Sequence, residues 1–477
     1  MIVNEICLKK LFTYSNSVYQ IGEKINKLER SFKKSASMTK TSAVTGAKLM
    51  MVSCLCGNRS INELILTIHN KETKFDGLFT KKEYIPKMHG LRDYIKNTNY
   101  KQIEEINDSV IRKIKENKVF KKNLIDGLVV CATDGHELNE TIKDIENLPE
   151  REHIDGEIKK YIKYLVSAII GPKANFIVNV SQLTEREKIT TKTGKMKAKT
   201  IGETTSFLEN KKFLDKKIGR NVDVHVLDAL YLNAKVMNCI NDDKQFFVIR
   251  MEDKTKHIYK DAKGIFDNSK AKEEYEIVEI TKEIEIKYTK VAKRKDVNKT
   301  KIVTEKRKIT SNKLGERYFV SEKESCNRKN SVKKVKIYEK VIRRVEVWDE
   351  EGFEYASYKG NLRVIRSKEK YKYGKEIKEQ EVYIVTDMIN HKRSTIITIM
   401  HYRWNIENCC FRKLNQEYKM KHIFIGDFNS INYIVQMIIL VSNLLELYLK
   451  IRSKETIKVT YIIRKKLFEK QFQTVNF

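Results

Sequence analysis

Apolar residues in the first 120 positions follow the spacing of helices. They recur there at intervals of three, for example at Leu49, Val52 and Leu55. Side chains at this spacing lie on one face of a helix. Ser60 precedes the apolar segment INELIL and Glu63 follows three residues later, a pairing typical of an N-terminal capping box. The pattern predicts an N-terminal region built from helices.

The pattern changes to strands from about residue 123. Three apolar runs predict the first strands, and they read LIDGLVVCATDG, YIKYLVSAII (161–170) and NFIVNVSQ (175–182). Gly171 and Pro172 between the last two predict a hairpin turn. A helix over 204–214, a strand within 222–231, a further helix and a strand over 245–251 follow. This order predicts an α/β fold with one mixed sheet.

Two stretches depart from the α/β pattern. Residues 184–200 are basic and polar, and they predict a mobile loop. Residues 255–350 alternate apolar and charged positions in short segments such as EIEIKYTKV, which predicts a β-rich insertion with one exposed sheet face. The α/β pattern returns with a strand over 382–388 and with helices over 395–414 and 429–451.

These changes divide the chain into four predicted regions. The N-terminal helical region covers residues 1–120. The α/β core has a first part over 121–254 and a second part, with the C-terminal helices, over 381–477. The β-rich insertion over 255–380 separates the two.

The net charge of the chain indicates what kind of partner it binds. The 477 residues include 95 Lys and Arg against 63 Asp and Glu, a net charge of +32. Basic residues are in excess in 1–120 and again in 281–340. The N-terminal region 1–120 is therefore either a region for DNA binding or synapsis, or a packed helical extension with a basic face. A polyanion, and nucleic acid first, explains this balance best. A codon bias toward lysine, isoleucine and asparagine is the alternative source for part of the excess.

Other features exclude several classes of protein. The polar start MIVNEICLKKLF does not predict a signal peptide. The eight cysteines show no zinc-finger spacing, and they fit a reducing cytoplasm. The longest apolar stretch, 433–445, is interrupted by polar residues and is shorter than the roughly 20 residues of a membrane span. We therefore predict a buried helix there and no membrane partner.

Three acidic residues form the candidate site. Asp134 ends the first predicted strand, Asp228 ends the fourth, and Glu407 lies inside a helix. Each aspartate alone is equally typical of a turn or an N-cap. Together, two carboxylates on neighbouring strands and one on a helix would form an all-oxygen site that suits Mg²⁺ or Mn²⁺. Two such ions can activate a water or a 3′-hydroxyl toward a phosphodiester.

The helix that carries Glu407 contains further candidates. Arg403 lies four residues before Glu407 on the same face, where it would hold a DNA phosphate or form a salt bridge within the helix. Trp404 would stack on an unpaired base or pack in the core. His401 and Lys413 are candidate phosphate contacts.

The segments around these acids resemble a known family. The stretches TDGHELNET, LDALYLNAKV and YRWNIENCCFRKLNQ, in this order, resemble bacterial insertion-sequence DDE transposases. The likeness is to the branch with a β-rich insertion before the catalytic glutamate, and it covers about residues 123–450. It implies an RNase H-like mixed-sheet core in which Asp134, Asp228 and Glu407 bind the metal ions and are catalytic.

The family's helix motif is met only in part. It places a tyrosine seven residues before the glutamate, an arginine four before it and a lysine seven after it. Arg403 matches the arginine. Met400 and Leu414 stand at the tyrosine and lysine positions, and Tyr402 or Lys413 would substitute in contacting DNA.

The resemblance also implies a reaction and its partners. Water would cut the DNA at the element ends, and the freed 3′-hydroxyl would attack target DNA. Trp404 would stack on a flipped base. The partners would be double-stranded DNA, as terminal inverted repeats and target, and a second subunit in a synaptic homodimer on the bacterial nucleoid in the cytoplasm. An RNase H-like nuclease or recombinase without transposition, and a host-adopted DNA-binding protein without catalysis, remain open.

Overall fold

The structure is a computed structural model that describes ten stretches of the chain. They are residues 8–25, 42–69, 84–190, 196–200, 202–218, 221–289, 316–325, 332–373, 376–422 and 426–452. The chain forms two compact units. The first runs up to Ile249 and includes Ala356–Lys359 and everything from Asn390, and the second comprises Arg250–Tyr355 and Gly360–Ile389.

Five α-helices precede the first strand in the described residues, and strands and helices follow in mixed order. The helices are α1 Leu8–Tyr19, α2 Ala43–Cys56, α3 Ile61–His69, α4 Met88–Asn97, α5 Tyr100–Glu116, α6 Glu203–Ile218, α7 Ala234–Asp242, α8 His257–Asp267, α9 Arg393–Asn405, α10 Arg412–Gln416 and α11 Phe428–Glu446. The strands are β1 Val130–Thr141, β2 Glu150–Glu152, β3 Ile158–Ile170, β4 Phe176–Gln182, β5 Glu185–Thr190, β6 Met196–Thr200, β7 Val224–Leu227, β8 Phe246–Met251, β9 Glu273–Thr289, β10 Glu316–Ser325, β11 Val332–Phe353, β12 Leu362–Tyr373 and β13 Glu376–Thr386.

The first unit contains a mixed sheet. Strands β4, β3 and β1 are antiparallel neighbours, and β1, β7 and β8 are parallel neighbours. The order β4-β3-β1-β7-β8, with helices α6 and α7 in the connections, is that of an RNase H-like fold. The predicted α/β class with an RNase H-like mixed-sheet core is therefore confirmed.

Helix starts in the N-terminal region follow local capping chemistry. Ser60 accepts a hydrogen bond from the Glu63 N–H at 3.0 Å, so the predicted N-cap of α3 is confirmed. The Glu63 carboxylate accepts from the Arg59 N–H at 2.6 Å, one residue before the cap. Ser42 caps α2 in the same way through the Thr45 N–H.

Helix α11 is buried in the first unit, as predicted. The stretch Phe428–Leu449 is long and apolar enough to cross a membrane, but 94% of its most apolar window is buried inside the protein. Its polar side chains have partners. Gln436 accepts hydrogen bonds from Asn107 of α5, and Asn443 pairs with both backbone groups of Ile177 in β4, at 3.0 and 2.8 Å.

Residues 184–200 differ from the predicted loop. Strands β5 and β6 pair antiparallel, and residues 191–195 between them lie outside the described residues. The loop prediction was wrong because it weighed the charge of this segment above its Ile and Thr residues. These β-branched residues favour strands.

The second unit is β-rich, and its strands are longer than the alternation suggested. The 22-residue strand β11 pairs with β9, with β10 and with β12, all antiparallel. Two arginines of β12 lie inside this unit. Arg363 forms a buried bidentate ion pair with Asp349, and Arg366 binds Asp267 and Glu381.

Strand β7 carries a buried histidine next to a buried lysine. His225 is fully buried, and Gln245 is hydrogen-bonded to its Nε2 at 3.2 Å. Lys211 pairs with Asp215 at 3.0 Å and with Asp243. Burial, with the charge of Lys211 as a smaller cause, lowers the pKa of His225 to about 3, so the folded protein holds this ring neutral.

Replacing Asn443 by alanine should lower the free energy of unfolding by about 2 to 4 kcal/mol, because the buried N–H and C=O groups of Ile177 would lose their partner. Urea denaturation followed by circular dichroism measures this. The matched change Asn62→Ala, on the exposed face of α3, should cost less than about 0.5 kcal/mol. Equal losses for the two variants would contradict the pairing.

His225 should make the protein less stable in acid. The unfolded histidine binds a proton below its ordinary pKa of about 6.5, whereas the folded one does so only near pH 3. The unfolded state therefore binds more protons between these values, and stability falls as the pH drops. The contribution lost between pH 7 and pH 5 is about 2 kcal/mol.

The measurement compares wild type with His225→Gln by urea denaturation at both pH values. The variant should lose less stability on acidification, whereas a change at the exposed His422 should leave the pH dependence as in wild type. If the difference in free energy of unfolding between wild type and His225→Gln is the same at pH 7 and pH 5, His225 does not cause the loss of stability in acid.

Candidate active site

Strand pairing brings two carboxylates together. The parallel register of β1 and β7 ends at Thr133 opposite Leu227. Asp134 directly follows Thr133 and Asp228 directly follows Leu227. The last paired positions of β1 and β7 therefore place both aspartates side by side where the pairing of the two strands ends. Asp228 also begins a short 3₁₀ turn, Ala229–Tyr231.

The sequence had suggested that Asp134 ends the first strand, but in the structure it lies inside β1. Strand β1 continues to Thr141, and Asp134 is paired with Val166 of β3. What ends at Asp134 is the pairing with β7 only. The dipeptide Asp134-Gly135 is therefore not a turn, and Gly135 has another role. A Cβ atom at this glycine would lie 2.4 Å from Oε2 of Glu203, so any other residue there would displace that carboxylate from its present position.

The glutamate lies in a locally wider helix. Instead of the predicted continuous helix over 395–414, α9 ends at Asn405, a π-helical segment spans Ile406–Phe411, and α10 follows. A π-helical turn inserts extra backbone into a helix and is often found at functional sites. Glu407 is the second residue of this segment, and its side chain is 48% exposed.

Arg403 connects the three acids. Its Nη2 atom lies 3.0 Å from Oε1 of Glu407 and 3.9 Å from Oδ1 of Asp228, and its Nη1 atom lies 3.6 Å from Oδ2 of Asp134. The side chain is only 3% exposed. The salt bridge within the helix is thus present, but the guanidinium reaches all three carboxylates, which sequence spacing could not indicate.

The electrostatics of the site follow from burial. Desolvation raises the pKa of Asp134 to about 7, against the lowering effects of the Arg403 charge and of the Gly135 N–H, while Asp228 and Glu407 raise it further. The Gly135 N–H donates to Oδ1 of Asp134 at 2.8 Å. Within the described part of the chain, Oδ1 of Asp228 and the Nε and Nη1 atoms of Arg403 are buried without a hydrogen-bond partner.

Glu203 is a fourth carboxylate that sequence reasoning missed. It begins α6, forms an ion pair with Lys163 at 2.7 Å and accepts a hydrogen bond from the Tyr231 hydroxyl at 3.2 Å. The charges of Glu203, Asp134 and Asp228 all help to raise the pKa of Tyr231, after burial. The glycine after Asp134 was the only sequence signal of this close approach.

His136 is a second residue that was missed. It lies two positions after Asp134 on β1, so both side chains project from the same sheet face. Its ring stacks on Phe411 with centroids 4.2 Å apart, and its Nε2 atom is hydrogen-bonded to Asn415 at 3.2 Å. Because Phe411 closes the π-helical segment, these contacts fix the segment that carries Glu407 against the strand that carries Asp134.

The other predicted residues lie on the same helices. His401, Tyr402 and Trp404 are half-buried on α9. Burial raises the pKa of Tyr402, with a smaller effect of Asp126. Lys413 donates to Glu446 at 2.7 Å, so its ammonium is already bound by a carboxylate.

The residue types of the cluster favour a metal ion, whereas the cation that lies among them in this structure is the guanidinium of Arg403. Three carboxylates form an oxygen-only set, which suits Mg²⁺ or Mn²⁺, and Oδ1 of Asp228, which accepts no hydrogen bond from the described residues, could act as a metal ligand. However, no group of three or more His, Cys, Asp or Glu residues in the described stretches is spaced to hold a metal ion. The residue types suit a divalent cation, whereas in this structure the three carboxylates face the guanidinium of Arg403.

Comparison with known proteins adds little. No protein-family model and no curated protein matches the chain. Among solved structures, a piggyBac transposase synaptic complex with hairpin DNA, determined by cryo-electron microscopy, is similar with a TM-score of 0.40 and 11% identity over 99% of this chain and 80% of that one. A likeness of this size carries no functional argument, so the class rests on fold and site: an RNase H-like α/β protein with an acidic cluster at its sheet edge.

Replacing His136 by alanine should destabilise the protein by about 1 to 2 kcal/mol, because the stack on Phe411 and one hydrogen bond are lost. His136→Phe keeps an aromatic ring on Phe411 and should recover part of the loss. Thermal unfolding of both variants measures this. If alanine and phenylalanine variants melt together, the stacking of the two rings does not stabilise the fold.

Proposed function

We propose that the protein is a DNA transposase that cuts phosphodiester bonds at insertion-sequence ends and joins the freed strands to target DNA. The observation that supports this most directly is the carboxylate arrangement. Asp134 and Asp228 follow the last paired residues of two parallel strands, and Glu407 shares the same arginine with them.

Asp134, Asp228 and Glu407 would hold the metal, Mg²⁺ or Mn²⁺, as two ions. Bound there, such ions activate a water or a 3′-hydroxyl and stabilise the leaving oxygen of a phosphodiester. The chain's own residues would supply position and charge. The half-exposed Glu407 leaves the site accessible to a bulky polymer, and the β1–β7 pairing sets the spacing of the two aspartates.

Double-stranded DNA is the proposed substrate, both as terminal inverted repeats and as target. The net charge of +32 would attract its phosphates. Arg403, Tyr402, His401 and Lys413 would contact the backbone near the cut, and Trp404 would stack on a displaced base. A homodimer would hold two element ends together, on DNA in the bacterial cytoplasm.

The variants Asp134→Asn, Asp228→Asn and Glu407→Gln should each abolish Mg²⁺-dependent cleavage of a duplex that carries the DNA flanking both sides of the gene. Each should still bind that duplex, because the acids repel phosphate and do not contribute to affinity. Denaturing gels measure cleavage, and gel-shift titration measures binding. Wild type should also give joined products when a target plasmid is added.

Asp242→Asn is the matched control, because it removes an exposed carboxylate of the same unit and should cleave like wild type. Cleavage by any of the three site variants at the wild-type rate would reject the assignment of that residue. Cleavage without joined products would favour the nuclease alternative over transposition.

A further inference from the structure

The acidic cluster already contains a cation that belongs to the protein. The guanidinium of Arg403 lies within 4 Å of an oxygen of each of Asp134, Asp228 and Glu407, at 3.6, 3.9 and 3.0 Å. The side chain that supplies it is 3% exposed. Three acids held this close together repel one another, and within this cluster the charge of Arg403 offsets that repulsion.

The fit between the guanidinium and the acids is incomplete. Only the contact with Glu407 has hydrogen-bond length. The Nε and Nη1 atoms of Arg403 and the Oδ1 atom of Asp228 are buried and lack hydrogen-bond partners among the residues that the structure describes. An arginine with a purely structural role would satisfy its donors, as Arg363 does through a bidentate pair with Asp349 and two backbone carbonyls.

We propose that Arg403 stands in for a divalent cation. It is a positioning residue that keeps the three carboxylates together in the metal-free protein, and it leaves them when the cation binds. This inference rests on the proposed function, since it requires that the carboxylates bind a metal.

Competition follows from the shared oxygens. A divalent cation must approach carboxylate oxygens closely, and these same oxygens now face the guanidinium. Both cannot hold them at once. The apparent affinity for metal is therefore the intrinsic affinity multiplied by the fraction of molecules in which Arg403 has left the cluster. In return, the site stays assembled before any metal arrives, because the arginine screens the repulsion between the acids.

Mn²⁺ titration of the full-length protein, followed by electron paramagnetic resonance of the free ion, tests the proposal with no need for DNA or turnover. Arg403→Gln should bind Mn²⁺ with a Kd about tenfold or more below that of wild type. In EDTA this variant should have a lower Tm than wild type, and Mn²⁺ should raise its Tm by more than it raises that of wild type. Arg403→Lys, which keeps the charge but loses the forked geometry, should lie between the two.

Two controls define the site. Arg412→Gln removes an exposed arginine of the next helix, whose Nε atom binds Gln416, and should leave both the Kd and the Tm response at wild-type values. Asp134→Asn should remove most Mn²⁺ binding. If Arg403→Gln fails to fold in EDTA, recovery of the fold by Mn²⁺ supports the proposal, and Arg403→Lys supplies the Kd.

The results separate this proposal from the function on which it rests. An Arg403→Gln variant with an unchanged or weaker Mn²⁺ affinity overturns the competition, while Mn²⁺ binding by wild type would leave the proposed function standing. Wild-type binding that Asp134→Asn does not reduce overturns both, as does the absence of Mn²⁺ binding from every variant.

Discussion

The parallel pairing of β1 with β7 is the constraint on which the site depends. Its register ends at Thr133 and Leu227, and the two residues that follow are both aspartates. Carboxylates brought this close in a partly buried position repel each other and resist ionisation. Burial is the main cause of the raised pKa of Asp134, and the charges of Asp228 and Glu407 add to it. Neighbouring residues offset this repulsion with positive charge and with hydrogen bonds.

Four features support this arrangement of the acids. Arg403 brings the positive charge from α9, and Gly135 donates its N–H to Asp134. His136 ties the π-helical segment to β1 through Phe411 and Asn415. Burial of α11 with polar partners on α5 and β4 holds the C-terminal helices against the N-terminal ones. The C-terminal part of the chain can therefore bring Glu407 to Asp134 and Asp228, which come 273 and 179 residues earlier.

Much of the fold could be predicted because its signals are local. The strands over 161–170 and 175–182, the helix over 204–214 and the cap at Ser60 are observed as β3, β4, α6 and the start of α3. Errors arose where pairing partners decide the outcome. Strand β1 continues past Asp134 because β3 runs beside it, and the basic stretch 184–200 forms two strands because its two halves pair with each other.

The sequence alone determined the α/β class, the order of the elements and the three acidic residues worth considering, since apolar spacing and residue chemistry are readable along the chain. Their catalytic role stays a prediction. Only the tertiary structure decided which groups meet. It placed Arg403 against all three acids, Glu203 against Gly135, and His136 against Phe411. These contacts join residues up to 275 positions apart in the chain. Strand register and helix packing decide which of them meet, and a local sequence pattern does not predict either.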